Sequence, residues 1–426
     1  MYVCGPTVYG PPHLGHGRFS LVFDILRRYL EWTGREVTYV SNITDIDDQI
    51  ISKGAAEGRD PADVAVEFES RWYDGMDLIG VKRPTRDPHA TAYVDQMVQL
   101  IADLIAADRA YETGDGVYLA TEGIDGYGTL ARQSLDSLRS GARVEVKDEK
   151  RSPLDFVLWK KAKPGEPTWD SPWGPGRPGW HTECVVMSLE LLGEGFDIHG
   201  GGQDLAFPHH ENEWAQAKAL GKDFAHHWVH NGFVEVGGEK MSKSLGNYTD
   251  LLDLATSADP RAYRLLVLQA HYRSPVEVNR ATATAASTAL ERFDALARRM
   301  VGTDPGEADV AELDRFRAHM DDDMDTPAVV AQLFGLATAA NTALDRGDPA
   351  AAATAWATLG EITRAVGIQI AQAAGEVPEQ VETLARLRDE VRVAKDWARA
   401  DELRDEIRSR GYEVEDTPEG TRVHLA

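Results

Sequence analysis

Two pairs of side chains in this chain have the types and spacing needed to act on phosphate. His13 and His16 flank a glycine in the string HLGH, and Lys240 and Lys243 lie three residues apart in the string KMSKS. Imidazoles can donate hydrogen bonds to phosphate oxygens. An ammonium group on a flexible stem can follow negative charge that moves during phosphoryl transfer. Each string alone is also compatible with an ordinary polar surface loop.

The residues around HLGH predict a strand, a tight loop and the start of a helix. A short apolar run ends at Cys4 and is followed by a Gly/Pro-rich turn, and a helical pattern then runs from Ser20 to a stop at Gly34. A helix N-terminus presents N–H groups to an anion, and Gly15 permits close approach of the backbone. We therefore expect a phosphate-binding turn here.

Strand and helix patterns also occur along the rest of the chain. Segments 36–44 and 195–199 predict strands, and segments 62–77, 89–107 and 185–192 predict helices. Segment 111–178 is rich in Gly, Pro and charge and predicts an irregular insertion. The chain beyond Asp259 is almost wholly helical and ends in a predicted small hairpin. The predicted fold is thus a doubly wound, Rossmann-like α/β core split by an insertion, followed by an all-α bundle and a small α+β C-terminal domain.

A second group of residues has the chemistry of metal ligands. His209 and Glu213 stand at positions i and i+4 of a helix predicted to begin at Pro208, where they could cap the helix, form a surface contact or bind a cation. The only two thiols of the chain, Cys4 and Cys184, could point into the same crevice. Two Cys, one His and one Glu together form a plausible zinc site.

Composition limits the class of protein. The 426 residues predict two to four domains, and two cysteines exclude a disulfide scaffold and suit a reducing cytosol. We see no signal peptide and no apolar stretch near the roughly 20 residues of a membrane span, so we expect a soluble cytoplasmic protein without a membrane partner. The absence of a Walker A string disfavours a P-loop ATPase.

The charge is strongly acidic overall and locally basic. A net charge of −25 argues against a non-specific nucleic-acid binder. The stretch from Arg261 to Met300, however, contains seven arginines and only three acidic residues. This stretch is either a directed anion-binding surface or a solvated helix face, and charge alone favours the solvated face.

Five strings together resemble the cysteinyl-tRNA synthetase family of class I aminoacyl-tRNA synthetases. They span residues 1 to 247 and read MYVCG-x-TVY, NITDIDD, GWH-x-EC, FDIHGGG-x-DL-x-FPHHENE and KMSKSLGN. One departure is that the family normally carries a short segment before its first strand, whereas this chain starts at Met1. The resemblance implies three partners, namely ATP with Mg²⁺, L-cysteine and tRNA(Cys), and a monomeric enzyme.

The resemblance also implies roles for individual residues. His13 and His16 would stabilise the pentacovalent phosphate, and Lys240 and Lys243 the departing pyrophosphate. The residues implied in ATP binding are Gly15, Gly202, Asp204 and Lys243. The implied zinc ligands are Cys4, Cys184, His209 and Glu213. The implied side-chain pocket for cysteine consists of Thr44, Trp180 and His199. Zinc would select the substrate thiolate over the hydroxyl of serine, so that no editing domain is needed.

On this basis we predict six regions. They are the first half of the catalytic domain (1–90), a connective insertion (91–178), the second half (179–236), the KMSKS loop and stem-contact region (237–285), a helical anticodon-binding bundle (286–375) and a small C-terminal domain (376–426). One alternative is the ligase that joins cysteine to glucosaminyl-inositol, which shares the activation motifs but lacks the extended C-terminal tail. Another is a non-catalytic tRNA-binding paralogue, against which the intact motifs argue.

Overall fold

The structure, a computed structural model, falls into two compact units. The first unit comprises Met1–Ser287, Arg317–Val330 and Ala365–Gly367, and the second comprises Thr288–Phe316, Ala331–Arg364 and Ile368–Ala426. The residues that the structure describes are 1–130, 149–240, 249–254, 258–304, 306–371, 379–410, 412–417 and 420–425.

A four-stranded parallel sheet forms the centre of the first unit. Its strands are β1 (Tyr2–Val3), β2 (Val40–Ser41), β7 (Ile198–Gly202) and β8 (His227–Asn231), in the order β2-β1-β7-β8. Tyr2 pairs with both Val40 and His199, so β1 is joined to a strand nearly two hundred residues away. The predicted α/β core split by an insertion is therefore confirmed, and ligands of such sheets bind at the carboxyl ends of the strands.

Six α-helices lie between the strands of this sheet in the chain. They are α1 (Leu14–Trp32), α2 (Asp48–Glu57), α3 (Pro61–Leu78), α4 (Val94–Ala106), α5 (Trp180–Leu192) and α6 (Glu211–Ala219). The side chains of Asp47 and Asp60 cap α2 and α3 by accepting backbone N–H groups. On β7, a side chain at Gly200 would collide with the ring of Phe23, so this glycine lets α1 pack directly on the strand.

Two predicted strands differ from the observed ones. Within segment 36–44 only β2 is a strand. Other residues of this segment pair through isolated bridges, such as that of Ile43 with His89. The strand predicted at 195–199 lies instead at Ile198–Gly202. The observed strand includes Gly200, Gly201 and Gly202, and a Cβ atom at any of them would collide with a neighbouring side chain.

The insertion contains an antiparallel sheet. The prediction of an irregular insertion is therefore wrong. The strands of this sheet are β3 (Ala110–Glu112), β4 (Gly116–Leu119), β5 (Phe156–Lys161) and β6 (Gly176–Pro178), paired in chain order. Gly116 and Gly176 lie so close to the backbone of β5 that neither has room for a Cβ atom. Glycines that suggest breakers in the sequence are therefore required here by the close approach of strands.

The second half of the first unit ends in a small three-stranded sheet. Strands β9 (Val234–Val236), β10 (Glu239–Lys240) and β11 (Val276–Glu277) pair in the order β10-β9-β11, with α7 (Pro260–Leu268) between β10 and β11 in the chain. The hairpin of β9 and β10 leads directly into the KMSKS string. Residues 241–248, and with them Lys243, lie outside the described residues, as does the side chain of Lys240.

Beyond Asp259 the described chain is mostly helical until its last hairpin, as predicted, with β11 as an exception. The helices are α8 (Arg280–Arg299), α9 (Val310–Asp321), α10 (Thr326–Asp345), α11 (Pro349–Val366), α12 (Glu379–Val393) and α13 (Trp397–Ser409). Strands β12 (Tyr412–Thr417) and β13 (Gly420–Leu425) form the hairpin. Val381, Leu384, Leu403 and Ile407 form the small core of this C-terminal part.

One helix in the described part of the chain, α10, is long and apolar enough to cross a membrane by length and composition alone. A core helix of a soluble protein passes the same test. In α10, 33% of the apolar window is buried, including Leu333 and Ala340.

Candidate active site

The HLGH string forms the first turn of α1 rather than a loop ahead of the helix. The helix begins at Leu14, six residues before the predicted start, because His13 and His16 cap it. The Nδ1 atom of His13 accepts the N–H of His16 at 3.2 Å, and Nδ1 of His16 accepts the N–H of His13 at 3.3 Å. The rings stack with 3.6 Å between their centroids. Because Nδ1 accepts in both rings, the proton of each neutral ring lies on Nε2, which is then a donor.

This turn is bound to the segment that follows the KMSKSLGN string. The N–H of Leu14 donates to the carbonyl of Thr249 at 3.3 Å, and the N–H of Leu251 donates to the carbonyl of Pro12 at 2.9 Å. The hydroxyl of Tyr263 donates to the carbonyl of Leu14 at 2.6 Å. The HLGH turn is thus joined by hydrogen bonds to described residues that follow the KMSKSLGN string in the chain.

Arg18, one turn further along α1, makes a second connection. Its buried guanidinium donates to the carbonyls of Phe233 and Ser274, and to that of Tyr272 at 3.3 Å. These carbonyls lie next to β9 and β11, at the base of the hairpin that leads into the KMSKS string. The sequence analysis missed Arg18, since nothing in its local pattern distinguishes it from a surface arginine.

The four predicted metal ligands come together at the carboxyl end of β1. The donor atoms of Cys4, Cys184, His209 and Glu213 all lie within 4.8 Å of one another, and all four residues are buried. The Sγ atoms of Cys4 and Cys184 are 3.7 Å apart, Sγ of Cys4 lies 3.5 Å from Oε1 of Glu213, and Nε2 of His209 lies 3.1 Å from the same oxygen. Thiols, imidazole and carboxylate in one such cluster are the donors that a zinc-type cation binds.

The electrostatics of this cluster also suit a cation. Burial, together with the neighbouring thiol and Glu213, raises the pKa of Cys4 well above its usual value, and burial raises the pKa of Cys184. Burial lowers the pKa of His209 well below its usual value, so this imidazole is neutral. A bound dication would stabilise the thiolates that burial alone disfavours, and a neutral imidazole is the form that binds metal.

A second set of donors overlaps the first. Cys4 and Glu213 also lie within 4.8 Å of the ring nitrogens of His199 and His210. Nε2 of His210 is 3.4 Å from Sγ of Cys4, and Nε2 of His199 is 2.7 Å from Oε2 of Glu213. The sequence analysis did not single out His210, although the doublet of histidines offered a signal.

Further imidazoles surround both sets. Nδ1 of His181 lies 2.9 Å from Nδ1 of His209, and Nε2 of His230 lies 2.8 Å from Nδ1 of His210. Burial lowers the pKa of His181 to about 3 and that of His230 to about 4, so both rings are neutral at pH 7. Neutral rings of this kind orient metal-binding side chains by hydrogen bonding to them. Neither residue was predicted, and His230 carries no sequence signal.

Two of the predicted pocket residues contact members of the cluster, and the third contacts Glu183. The indole of Trp180 stacks on the ring of His209 with 4.0 Å between centroids, and His199 bonds Glu213. Thr44 is buried, and its hydroxyl donates to Oε2 of Glu183 at 3.2 Å. Burial raises the pKa of Glu183 well above its usual value.

Gly202 and Asp204, two of the residues implied in ATP binding, lie where a strand passes into a turn. Gly202 ends β7, and Gln203–Leu205 form a single 3₁₀ turn in which Asp204 is exposed. A Cβ atom on Gly202 would collide with the carboxylate of Asp204. Because residue 202 is a glycine, the carboxylate of Asp204 can lie against the end of β7.

The helical conformation begins at Pro208, as predicted, although the regular α-helix starts at Glu211. In the segment Ala206–His210 only Phe207 has non-helical backbone angles, with φ −141° and ψ 133°, and His210 is already helical, with φ −65° and ψ −37°. An extended conformation is the usual one for a residue before proline. His209 and Glu213 therefore lie one helical turn apart, with 3.1 Å between Nε2 and Oε1.

Comparison with known proteins identifies the family. Residues 1–288 match the family model described as the class I (C) tRNA synthetase catalytic domain, residues 315–371 match the DALR domain, and residues 374–424 match the cysteinyl-tRNA ligase anticodon binding domain. The cysteine–tRNA ligase of Chromobacterium violaceum is 46% identical over 428 residues, which cover 99% of this chain and 94% of that protein. The chain belongs to the cysteine–tRNA ligase family.

Other cysteine–tRNA ligases give the same result. The protein of Halorhodospira halophila is 45% identical over 432 residues, covering 99% of this chain and 94% of the relative. Among solved structures, methionyl-tRNA synthetase of Mycobacterium tuberculosis in complex with methionyl-adenylate superposes with a TM-score of 0.62 at 18% identity, covering 86% of this chain and 89% of that one. The predicted family and the class I α/β fold are confirmed.

Proposed function

We propose that this chain activates L-cysteine with ATP and transfers the cysteinyl group to the 3′ end of tRNA(Cys). The observation that carries this proposal is the buried cluster of Cys4, Cys184, His209 and Glu213 at the carboxyl end of β1. The chain that holds this cluster also carries the HLGH string and belongs to the cysteine–tRNA ligase family. Family membership and a thiol-compatible metal cluster point to the same substrate.

We assign zinc as the metal of this cluster, held by Cys4, Cys184, His209 and Glu213. When bound, zinc supplies a soft Lewis acid that prefers a thiolate to a hydroxyl, and so distinguishes cysteine from serine. The chain's own residues fix the donors in place. His181 lies against the far side of the His209 ring, and His199 bonds the second oxygen of Glu213.

The pocket for the cysteine substrate consists of Trp180, His199 and Thr44 in this proposal. The Trp180 indole covers one face of His209 and excludes water from the cluster. The Thr44 hydroxyl is held by Glu183, so its contribution is to fix the wall of the pocket next to Cys184. A rigid, dry pocket holds the carboxylate of the substrate in one orientation for attack on ATP.

In the activation step, the carboxylate of cysteine attacks the α-phosphate of ATP and pyrophosphate leaves with Mg²⁺. The Nε2–H groups of His13 and His16 donate to the phosphate as its charge develops. Gly15 permits close approach of the α1 N-terminus, and Gly202 and Asp204 contact the nucleotide. Lys240 and Lys243 stabilise the departing pyrophosphate, a role that rests on the KMSKS string. The tRNA then accepts the cysteinyl group on a terminal ribose hydroxyl.

One experiment tests the proposal against its alternatives. Cysteine-dependent ATP–pyrophosphate exchange is measured on zinc-loaded protein, and charging of tRNA(Cys) and of glucosaminyl-inositol is followed in the same sample. We expect exchange and transfer to tRNA alone. The C-terminal helices α12 and α13 and their hairpin favour tRNA, since the aminosugar ligase was expected to lack them. Transfer only to the aminosugar, or no exchange at all, would contradict the proposal.

The proposal includes a monomer that acts in the cytoplasm. Light scattering of the purified chain during size-exclusion chromatography is expected to give a mass near 46.8 kDa. A mass twice as large would contradict the monomeric state without affecting the assigned chemistry.

A further inference from the structure

Cys4 and Cys184 are the only two cysteines of the chain, and the fold places them side by side. Cys4 directly follows β1, and Cys184 lies in α5. Their Sγ atoms are 3.7 Å apart, and both residues are buried. Because the chain has no third thiol, each of these sulfur atoms has one thiol partner within the molecule.

The other contacts of the two sulfur atoms are weak. Sγ of Cys4 lies 3.4 Å from Nε2 of His210 and 3.5 Å from Oε1 of Glu213, and Sγ of Cys184 lies 3.7 Å from Oδ1 of Asn42. Sulfur is a weak hydrogen-bond donor and acceptor, so these contacts do not hold the pair apart. A disulfide requires the sulfur–sulfur distance to shorten from 3.7 Å to about 2.0 Å.

A small oxidant can reach the pair by the route that the substrate takes. In the proposed function the thiol of L-cysteine enters this cluster, and hydrogen peroxide is smaller than cysteine. Larger reagents are kept out, because Cys4 and Cys184 are only 4% and 1% exposed. The burial of the pair therefore selects a small hydroperoxide as its oxidant.

Oxidation of the pair removes ligands from both overlapping donor sets. Cys4 and Cys184 belong to the first set, and Cys4 also belongs to the second. The thiolate is the form of cysteine that binds metal, and a sulfur atom in a disulfide carries no such charge. A disulfide and a bound zinc ion therefore exclude each other, and the second donor set offers no replacement.

We propose that Cys4 and Cys184 form a reversible disulfide when a hydroperoxide meets the zinc-free protein, and that this disulfide switches off the cysteine site. One sulfur attacks hydrogen peroxide, the O–O bond breaks, an S–OH group forms and water leaves. The second sulfur then attacks the first, the S–S bond forms and a second water leaves. The two thiols lose two electrons and two protons, which the peroxide gains.

This inference rests on the proposed function, which makes a thiol the substrate of the site. The oxidant that joins the two cysteines also converts free L-cysteine to its disulfide, which has no thiol to offer to zinc. The site therefore closes under the conditions that remove its substrate, and a thiol reductant restores both. Disulfides of reducing compartments are typically transient and redox-sensing in this way.

The test uses full-length protein that a chelator has stripped of zinc and that is then treated with one equivalent of hydrogen peroxide. Free thiols are alkylated in denaturant and counted by intact-mass spectrometry. We expect both thiols to be lost, and the oxidised protein to be about 2 Da lighter than the reduced one before alkylation. Digestion should give one cross-linked peptide pair. Zinc content after reloading should fall from near one per chain to near zero, and dithiothreitol should restore it.

Two controls isolate the role of the pair. Zinc-loaded wild-type protein is expected to keep both thiols under the same treatment, because the metal occupies the sulfur electron pairs. Stripped Cys184→Ser protein leaves Cys4 without a partner in the chain. Its remaining sulfur is expected to gain about 16 or 32 Da as the sulfenic or sulfinic acid, without a cross-linked peptide.

Two results would overturn the proposal. In one, the sulfur atoms of stripped wild-type protein take up oxygen separately and no cross-linked peptide forms. In the other, the cross-linked protein still binds one zinc ion per chain.

Failure of the disulfide and failure of the proposed function give different results. Protein that carries out cysteine-dependent exchange and charges tRNA, but forms no disulfide after stripping and oxidation, contradicts only the switch. Protein that forms the disulfide and loses zinc, but shows no exchange when it is reduced and zinc-loaded, contradicts the function on which the inference rests.

Discussion

Cys4 and Cys184 show how single residues define the chemistry of this protein. They are separated by 180 positions in the chain, and their sulfur atoms lie 3.7 Å apart in the buried cluster. His209 and Glu213 complete one donor set, while His199 and His210 offer another that shares Cys4 and Glu213. The presence of Cys184 and His209 in only the first set makes the two assignments separable by mutation.

Cys184→Ser is expected to lower the zinc content from near one per chain to a small fraction of it. A hydroxyl is a far poorer zinc ligand than a thiolate, and loss of a ligand should cost more than the roughly 10–100-fold in affinity typical of outer residues. Metal analysis after dialysis measures the effect, and selectivity for cysteine over serine in exchange should fall with it.

Ser188→Ala, one turn along the same helix and also buried, is the control and should retain its zinc. Unchanged zinc in Cys184→Ser, together with loss of zinc in His210→Ala, would shift the site to the second donor set. That result would contradict the ligand set proposed here.

Lys243→Ala is expected to slow cysteine-dependent exchange by about 10²–10³-fold while zinc content stays at the wild-type level. The lysine is assigned to charge that develops on the leaving pyrophosphate, so its loss should lower kcat more than it raises the KM for cysteine. Lys222→Ala, which removes a surface ion pair with Glu194, should behave as wild type. If Lys243→Ala loses zinc, the assigned role is wrong.

At the scale of elements, α1 connects the HLGH turn to the rest of the first unit. Arg18 donates hydrogen bonds to backbone carbonyls next to β9 and β11. Asp24 lies about two turns further along the same helix. Asp24 is buried and accepts from Nε of Arg28 at 2.7 Å, from Nη1 of Arg264 at 2.5 Å and from the N–H of Lys82 at 2.9 Å. The helix is therefore held in place by a buried polar network.

Asp24→Asn should destabilise the protein by about 3–5 kcal/mol at pH 7, because it leaves buried guanidinium charge without its partner. Burial alone would raise the pKa of Asp24, but Arg264, Arg28 and the N–H of Lys82 outweigh it and hold the pKa below its usual value. The carboxylate therefore stabilises the fold fully above its unfolded pKa of about 3.9, and this contribution is lost as the pH falls through the lower folded pKa.

Urea unfolding between pH 3 and pH 7 measures both effects, and the variant should lack this part of the acid dependence. Asp77→Asn is the control, since Asp77 pairs with Arg83 at the surface and should contribute less than about 1 kcal/mol. Equal destabilisation by the two variants would contradict the role of the buried network.

At the scale of the whole molecule, the chain combines a split α/β domain with helical segments and a terminal helix pair with its hairpin. The terminal part has a core of its own, formed by Val381, Leu384, Leu403 and Ile407. It coincides with the residues that match the anticodon binding domain. Its contribution should therefore be to the binding of tRNA and not to the activation of cysteine.

Deletion of residues 374–426 is expected to leave cysteine-dependent exchange within about twofold of wild type. The kcat/KM for tRNA charging should fall by about 100-fold, equivalent to about 2.7 kcal/mol of lost binding in the transfer step. Thermal unfolding of the truncated chain serves as the control for folding. Charging at the wild-type rate would show that this part does not bind tRNA.

The sequence by itself predicted the family, the split α/β core and the helical C-terminal part with its hairpin, which are confirmed. It also proposed four donor residues, whose donor atoms the structure brings within 4.8 Å of one another. Helix periodicity, caps and short strings are local properties, so they can be recognised without coordinates. The start of α1 was missed because a pair of histidines replaces the usual capping residues at His13. The sheet of the insertion was missed because its glycines serve close strand contacts.

Only the tertiary structure showed that His181, His210 and His230 lie next to the donors, whereas His199 was already among the predicted pocket residues. These four histidines come from four elements, namely α5, β7, the segment Ala206–His210 and β8. The two strands among them are neighbours because β1 pairs with β7 and β7 with β8. Such contacts depend on the order of strands in a sheet, and no local pattern in the sequence encodes that order.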